Sequence, residues 1–217
     1  MSPQLIIFDF DGTLADTTKT ILWTYRNAIK EVGLDRRSDE ECRATIGLPL
    51  KEGFRHLYPQ LMDEELDKCV EIYRRIYTDN KAILIPALYP GVKESLSVMH
   101  ASGLEMSIAS SRSRLSLIEF CEASEIISFF RLILGADDVT RAKPDPEPVL
   151  KTLHTLGVDA DQTIVVGDMP VDIAMGRGAG CRTVGVSYGN SSKEALVEAE
   201  ASAVIDSFPE LIRYING

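Results

Sequence analysis

Five short, mostly apolar runs punctuate the chain: Leu5–Phe10, Glu105–Ala109, Leu132–Leu134, Thr163–Val166 and Thr183–Val186. Runs this brief, and continuous rather than alternating, predict strands covered on both faces. Helical spacing of apolar residues fills most of the intervals, over Gly91–Ala101, Leu115–Ala123, Pro146–Leu156 and Pro170–Gly178. Strands alternating with helices predict an α/β fold, a doubly wound, Rossmann-like parallel sheet.

One interval breaks this rhythm. From Thr17 to about Leu84 no strand pattern occurs, but amphipathic helices do. Thr17–Val32 places Ile21, Leu22, Tyr25, Ala28, Ile29 and Val32 on one face, and Glu64–Tyr77 does the same with Leu66, Val70, Tyr73, Ile76 and Tyr77. The alternation resumes after Ile85–Gly91, where two prolines and a glycine mark a connector. A helical stretch of about 65 residues is too long for an ordinary crossover. The expected organisation is a Rossmann-like core of residues 1–16 and 86–217 interrupted by a helical cap, residues 17–85.

Composition narrows the function classes. With 45% hydrophobic and 26% charged residues, the 217-residue chain has the make-up of a globular protein. A net charge of -10 argues against nucleic acid or an anionic membrane as partner, because both need a basic face. No stretch approaches the roughly 20 apolar residues of a membrane helix, and Leu5–Phe8 stops at Asp9 without a secretory pattern, so a cytoplasmic location is expected. Cys42, Cys69, Cys121 and Cys181 form no C-x-x-C pair and are expected to be reduced, buried thiols. Monomer and homodimer both remain open.

Chemistry gathers at the ends of the predicted strands. In D-F-D-G-T, Asp9–Thr13, two carboxylates sit where an α/β sheet places its ligands, and Gly12 permits a tight turn. An Asp-Gly hairpin is the competing reading, but a helical pattern rather than a partner strand follows. Asp16 or Thr17 is better explained as the N-cap of that helix. After the fourth run, G-D-M-P-V-D delivers Asp168, with Asp172 at the start of a helix, where it could equally complement the helix dipole. Two strands bringing carboxylates to one sheet edge suit a hard cation such as Mg²⁺. His56, His100 and His154 fall in helical patterns and suit neither zinc nor a triad. Ser110, Ser111 and Arg112 follow the second run, where hydroxyls and helix amides could hold phosphate oxygens, although a simple Ser N-cap would also account for them. Lys143 lies in a proline-stiffened loop and could screen carboxylates crowding a phosphate. The glycines of Gly176–Gly180 close a helix instead of opening one, so they mark a helix C-cap, not a dinucleotide site.

These four elements, in this order, resemble the haloacid dehalogenase superfamily of phosphotransferases. D-F-D-G-T resembles its first motif, Ser110 its second, Lys143 its third and G-D-M-P-V-D its fourth. The helical insertion resembles the cap of the subfamily containing phosphoglycolate phosphatases, pyrophosphatases and β-phosphoglucomutases. Tyr89–Leu96 and Ala179–Val186 are also similar to that subfamily's connecting segments. The resemblance implies Asp9 as nucleophile, forming an aspartyl-phosphate, and Asp11 as general acid and base. It implies Mg²⁺ held by Asp9, the Asp11 main-chain carbonyl, Asp168 and, through water, Asp172, with Ser110 and Lys143 on the phosphoryl group.

Asp11 is absent from the dehalogenases of the superfamily, so halide chemistry is disfavoured, as is the phosphonate-cleaving branch. Arg112 stands where many relatives carry lysine, and its guanidinium could hold a carboxylate or phosphate bidentately. By resemblance, the loop of Thr45–Phe54, with Gly47 and Lys51, faces the site and meets the distal end of a small phosphorylated metabolite. No counterpart of the mutase branch's cap arginine is evident, which tilts the expectation to hydrolysis, with phosphoglycolate as the single best substrate guess. A β-phosphoglucomutase-like activity is the alternative, and a non-catalytic phosphate- or Mg²⁺-binding module is a remote third.

Overall fold

The computed structural model describes residues 3–80 and 86–217; Ile85 and the expected end of the helical insertion lie outside the described residues. Among the described residues eight strands are formed: β1 (Leu5–Phe8), β2 (Ala15–Asp16), β3 (Ala87–Leu88), β4 (Glu105–Ala109), β5 (Leu132–Leu134), β6 (Thr163–Gly167), β7 (Arg182–Val186) and β8 (Ala203–Ile205). Ten α-helices accompany them among the same residues. They are α1 (Thr18–Val32), α2 (Asp39–Arg43), α3 (Leu50–Leu57), α4 (Asp63–Asn80), α5 (Val92–Ala101), α6 (Arg114–Ala123), α7 (Glu147–Leu156), α8 (Pro170–Gly178), α9 (Lys193–Glu198) and α10 (Glu210–Asn216).

Six strands pair in parallel in the order β5-β4-β1-β6-β7-β8. β1 is central, with Leu5 opposite both Glu105 and Thr163. The chain runs outward from β1 through β4 to β5, then crosses back to β6 on the other side. That reversal puts the switch point of the fold, where α/β sheets bind ligands, at the carboxyl end of β1. Every β1 residue is fully buried. Ile6 and Phe8 join one core cluster, Leu5 and Ile7 the other, as the alternation of a strand between two helical layers requires.

Helices α1–α4 enclose a separate core around Leu22, Tyr25, Phe54, Tyr58 and Leu66. Tyr25 organises it, its ring 5.0 Å from both Phe54 and Tyr73 and its hydroxyl 3.2 Å from the Thr45 hydroxyl oxygen. α1 stops at Gly33, whose φ of 81° lets Leu34 N–H reach back to the Ile29 carbonyl.

Several sequence expectations shift. β1 ends at Phe8, not Phe10, although the Asp9 N–H still bonds the Val166 carbonyl at 2.8 Å. The expected connector contains β3, which pairs antiparallel with β2. Asp16 therefore does not cap α1: it is an exposed β2 residue opposite Ala87, and Thr17 takes the N-cap position without a side-chain cap bond. β8, with α9 and α10, extends the sheet beyond the five strands the apolar runs predict. Cys42, Cys69, Cys121 and Cys181 are free and buried. The Gly176–Gly180 segment closes α8, with Gly180 and Cys181 N–H groups bonding back to the Arg177 and Gly176 carbonyls. Among the described residues, no helix is long and apolar enough to cross a membrane.

Phe54 is fully buried at the centre of the helical core. Phe54→Ala is expected to destabilise it by about 3–5 kcal/mol, whereas Met62→Ala, at a 69% exposed position, should cost under about 0.5 kcal/mol. Urea unfolding followed by fluorescence of Trp23, the single tryptophan and a neighbour of this core, measures both.

Candidate active site

Four strand ends and the loops after them converge beyond the carboxyl edge of the sheet. β1 delivers Asp9, β4 delivers Ser110, the loop after β5 delivers Lys143, and β6 delivers Asp168 with Asp172 on the first turn of α8. Asp9, Lys143, Asp168 and Asp172 are almost completely excluded from solvent. The Lys143 ammonium lies 2.5 Å from Asp9 Oδ1 and 2.7 Å from Asp172 Oδ1. The second Asp172 oxygen accepts the Met169 N–H at 3.0 Å, so Asp172 both caps α8 and serves the cluster. The two sequence readings of this residue are thus compatible.

Carboxylate oxygens of Asp9, Asp168 and Asp172 lie within 4.8 Å of one another. Three oxygen donors balanced by one ammonium are a fitting donor set for a hard divalent cation. Asp168 is oriented by its surroundings: Oδ2 accepts from Asn190 through both N–H and Nδ2, at 2.7 and 2.8 Å, while Oδ1 has a contact with the Thr13 hydroxyl at 3.4 Å. Gly12 makes room for this arrangement. Its φ is 83°, and a Cβ there would come within 2.1 Å of Asp168 Oδ2.

Electrostatics follow from burial. Desolvation is the larger cause that pushes the Asp9 carboxyl from 3.8 to about 7; Lys143 opposes it, and Asp172 and Asp11 add to it. Asp168 is raised well above its ordinary value by burial first, then by Asp172 and Asp9, against the Asn190 hydrogen bonds. Burial alone would lower the Lys143 ammonium, but Asp172 and Asp9 together hold it above its ordinary value.

Asp11 takes a different direction from Asp9. Its carboxylate is held bidentately by Arg112, at 2.7 Å from Nη2 and 3.2 Å from Nε. The remaining terminal nitrogen of Arg112 donates to Tyr77 Oη at 3.1 Å and Ser116 Oγ at 3.0 Å. The guanidinium expected beside a phosphate is thus committed to a carboxylate, the other partner its geometry suits. Ser110 is buried, with its hydroxyl 3.4 Å from the Arg112 N–H. Ser111 donates to the Gly47 carbonyl at 2.7 Å, tying the core to the loop before α3. Lys51 is neutralised by Asp67 at 2.6 Å.

A cavity of about 520 Å³ opens between the sheet edge and the helical block, lined by Asp9, Asp11 and Ser110 on one side and by Gly47, Lys51 and Tyr73 on the other. Asn190, Thr13 and Tyr77 are missing from the sequence-level site. Asn190 had a usable signal, since the polar stretch Tyr188–Ser192 follows the last predicted strand. Tyr77 had none, because it is indistinguishable from the apolar face of its helix.

With this geometry in place, the chain belongs to the haloacid dehalogenase-like hydrolases, whose family model matches residues 6–186. A probable phosphatase, IndB, of Dickeya dadantii is 34% identical over 96% of this chain and 91% of its own. A phosphoglycolate phosphatase of Pseudomonas savastanoi is 30% identical over 97% of this chain and 79% of its own. The solved structure of a haloacid dehalogenase-like family hydrolase from Streptococcus pneumoniae superposes with a TM-score of 0.85 over 98% of both chains at 24% identity, a likeness of fold.

A carboxyl whose pKa is higher folded than unfolded gives stability that is complete below the unfolded value and is lost as pH rises through the folded one. For Asp9 these values are 3.8 and about 7. The melting temperature of the metal-free protein should therefore fall from about pH 5 to about pH 8. Added Mg²⁺, if Asp9, Asp168 and Asp172 hold it, should raise it more at the higher pH, because protons and cation would then compete for the same carboxylates. Thermal melts at both pH values, with and without Mg²⁺, check this, and a melting temperature that climbs over the interval without metal contradicts it.

Proposed function

We propose that the protein is a Mg²⁺-dependent phosphatase that hydrolyses a small phosphomonoester through an aspartyl-phosphate on Asp9. The observation that carries this reading is the buried cluster of Asp9, Asp168 and Asp172 around Lys143, with Asp9 and Ser110 on the same wall of the cavity, in a chain of the hydrolase family. Asp9, Asp168 and Asp172 would hold the cation. When bound, Mg²⁺ supplies the positive charge that keeps these carboxylates ionised and offsets that of the phosphoryl group.

The chain's own residues carry the chemistry. An Asp9 carboxylate oxygen attacks phosphorus, forming the acyl phosphate as the bond to the leaving oxygen breaks. Asp11, placed by Arg112, gives its proton to that oxygen. It then takes a proton from water, whose oxygen attacks phosphorus and releases inorganic phosphate and the free Asp9 carboxylate. Lys143 and the Ser110 hydroxyl bind phosphoryl oxygens. The helical block acts as a cap, restricting water's access to the cavity. The relatives' names, a probable phosphatase and a phosphoglycolate phosphatase, support the reaction class. A mutase would need a second phosphate grip in the cap, and the nearest candidate, Lys51, is already paired with Asp67.

Purified protein with Mg²⁺ should release phosphate from 4-nitrophenyl phosphate, and chelation should abolish that release reversibly. Asp9→Asn should lower kcat by at least about 10³-fold. Retained turnover in that variant removes Asp9 as the nucleophile. Glucose 6-phosphate formed from β-glucose 1-phosphate would instead identify a mutase.

A further inference from the structure

We infer that the alcohol released carries a planar apolar ring, so that the substrate is an aromatic or ring-bearing phosphomonoester and not the phosphate of a small hydroxy acid. The inference rests on the phosphatase reading above and concerns the other end of the same cavity.

The leaving oxygen must sit beside Asp11, which protonates it. What lies beside Asp11 is therefore what the leaving group touches. Arg112 grips Asp11 and ties it to Tyr77, stacking 5.4 Å from that ring. One helical turn before Tyr77 on α4 stands Tyr73, buried enough that its phenol is held well above its ordinary value, chiefly by desolvation. Tyr25 backs Tyr73 at 5.0 Å. The hydroxyls of Tyr25 and Tyr77 are engaged by Thr45 and Arg112. What these two offer the cavity is ring surface; Tyr73 adds its ring to theirs, and Ile21, Leu48 and Val70 extend the apolar wall.

Charge argues the same way. A second anionic group on the substrate, such as a carboxylate, needs a cation at the far end of the cavity. Lys143 is shared by Asp9 and Asp172, Arg112 by Asp11, and Lys51 by Asp67. Arg74 also lines the cavity but is exposed, where an ion pair contributes little. The volume agrees as well: about 520 Å³ falls within the range of pockets for drug-sized ligands, roughly 300–1,000 Å³, more than a two-carbon acid fills.

The test compares kcat/KM for 2-phenylethyl phosphate, ethyl phosphate and phosphoglycolate on the full chain with Mg²⁺. All three release a primary alkoxide, so the ring and the carboxylate are the variables. An apolar group in a fitted pocket discriminates by roughly 10–200-fold. The phenylethyl ester should therefore exceed both others by at least about tenfold. Tyr73→Ala should shrink its advantage over ethyl phosphate, mainly through KM, and Tyr73→Leu, which keeps bulk in the cap core, should shrink it too. Phosphoglycolate turned over as well as the phenylethyl ester, or an advantage unchanged in both Tyr73 variants, overturns the inference while leaving the phosphatase reading intact. Phosphate release from none of the three overturns the phosphatase reading, and the inference with it.

Discussion

A lysine ammonium buried among carboxylates is the interaction on which the rest of the site depends. Lys143 meets Asp9 at 2.5 Å and Asp172 at 2.7 Å, with all three side chains almost completely out of water. Moving such charges out of water is expensive, and only close pairing with further hydrogen bonds offsets it. Each partner is accordingly fixed from behind. Asp9 continues the β1 ladder through its N–H, Asp172 accepts from the N–H of Met169, the N-cap of α8, and Pro144 and Pro146 follow Lys143 in its loop. The sheet order serves this constraint: β1 lies beside β6, which leads to Asp172, and β5, which leads to the Lys143 loop, lies one strand away beyond β4.

The second organising contact joins the sheet edge to the helices above it. Arg112 has one edge on Asp11 and the other on Tyr77, while the neighbouring Ser111 hydroxyl reaches the Gly47 carbonyl. Two consecutive residues after β4 thus bridge to opposite ends of the helical block, one to the loop before α3 and one to the last turns of α4. The orientation of the Asp11 carboxylate is set by a residue that is itself positioned by that block. The carboxylate cluster and the helical wall of the cavity are therefore geometrically linked, although they belong to different hydrophobic cores.

Sequence legibility followed physical locality. The sheet was visible because buried parallel strands must be continuous apolar runs, and the helical block because its apolar residues recur at helical spacing. Asp9, Lys143 and Asp168 were visible because each follows such a run directly or within one stiff loop. What escaped notice depended on long-range pairing. The β2–β3 ribbon has only two residues per strand, too short for a pattern, and it alone made Asp16 a strand residue instead of a cap. Arg112 was recognised as a bidentate group, but its choice of Asp11 over phosphate is a three-dimensional fact about residues 101 positions apart. Tyr77 and Tyr73 looked like core positions of an amphipathic helix. Tyr73 does pack on that core, and both also line the cavity.

Charge closes the argument. An acidic chain with a net charge of -10 meets a phosphate dianion most easily where its own charge is locally reversed. The cluster does not achieve this alone, because Asp9, Asp168 and Asp172 ionised around one ammonium leave a formal excess of two negative charges. Burial answers that excess by favouring protonation, which is why Asp9 rises to about 7 and Asp168 rises as well. A protonated Asp9 is no nucleophile. A divalent cation on the same three oxygens would restore ionisation and neutrality together, admitting the phosphoryl group to a site that would otherwise repel it. The same reckoning at the opposite end of the cavity, where half-buried Lys51 is already paired with Asp67, favours apolar surface as the proposed means of recognising whatever the phosphate is attached to.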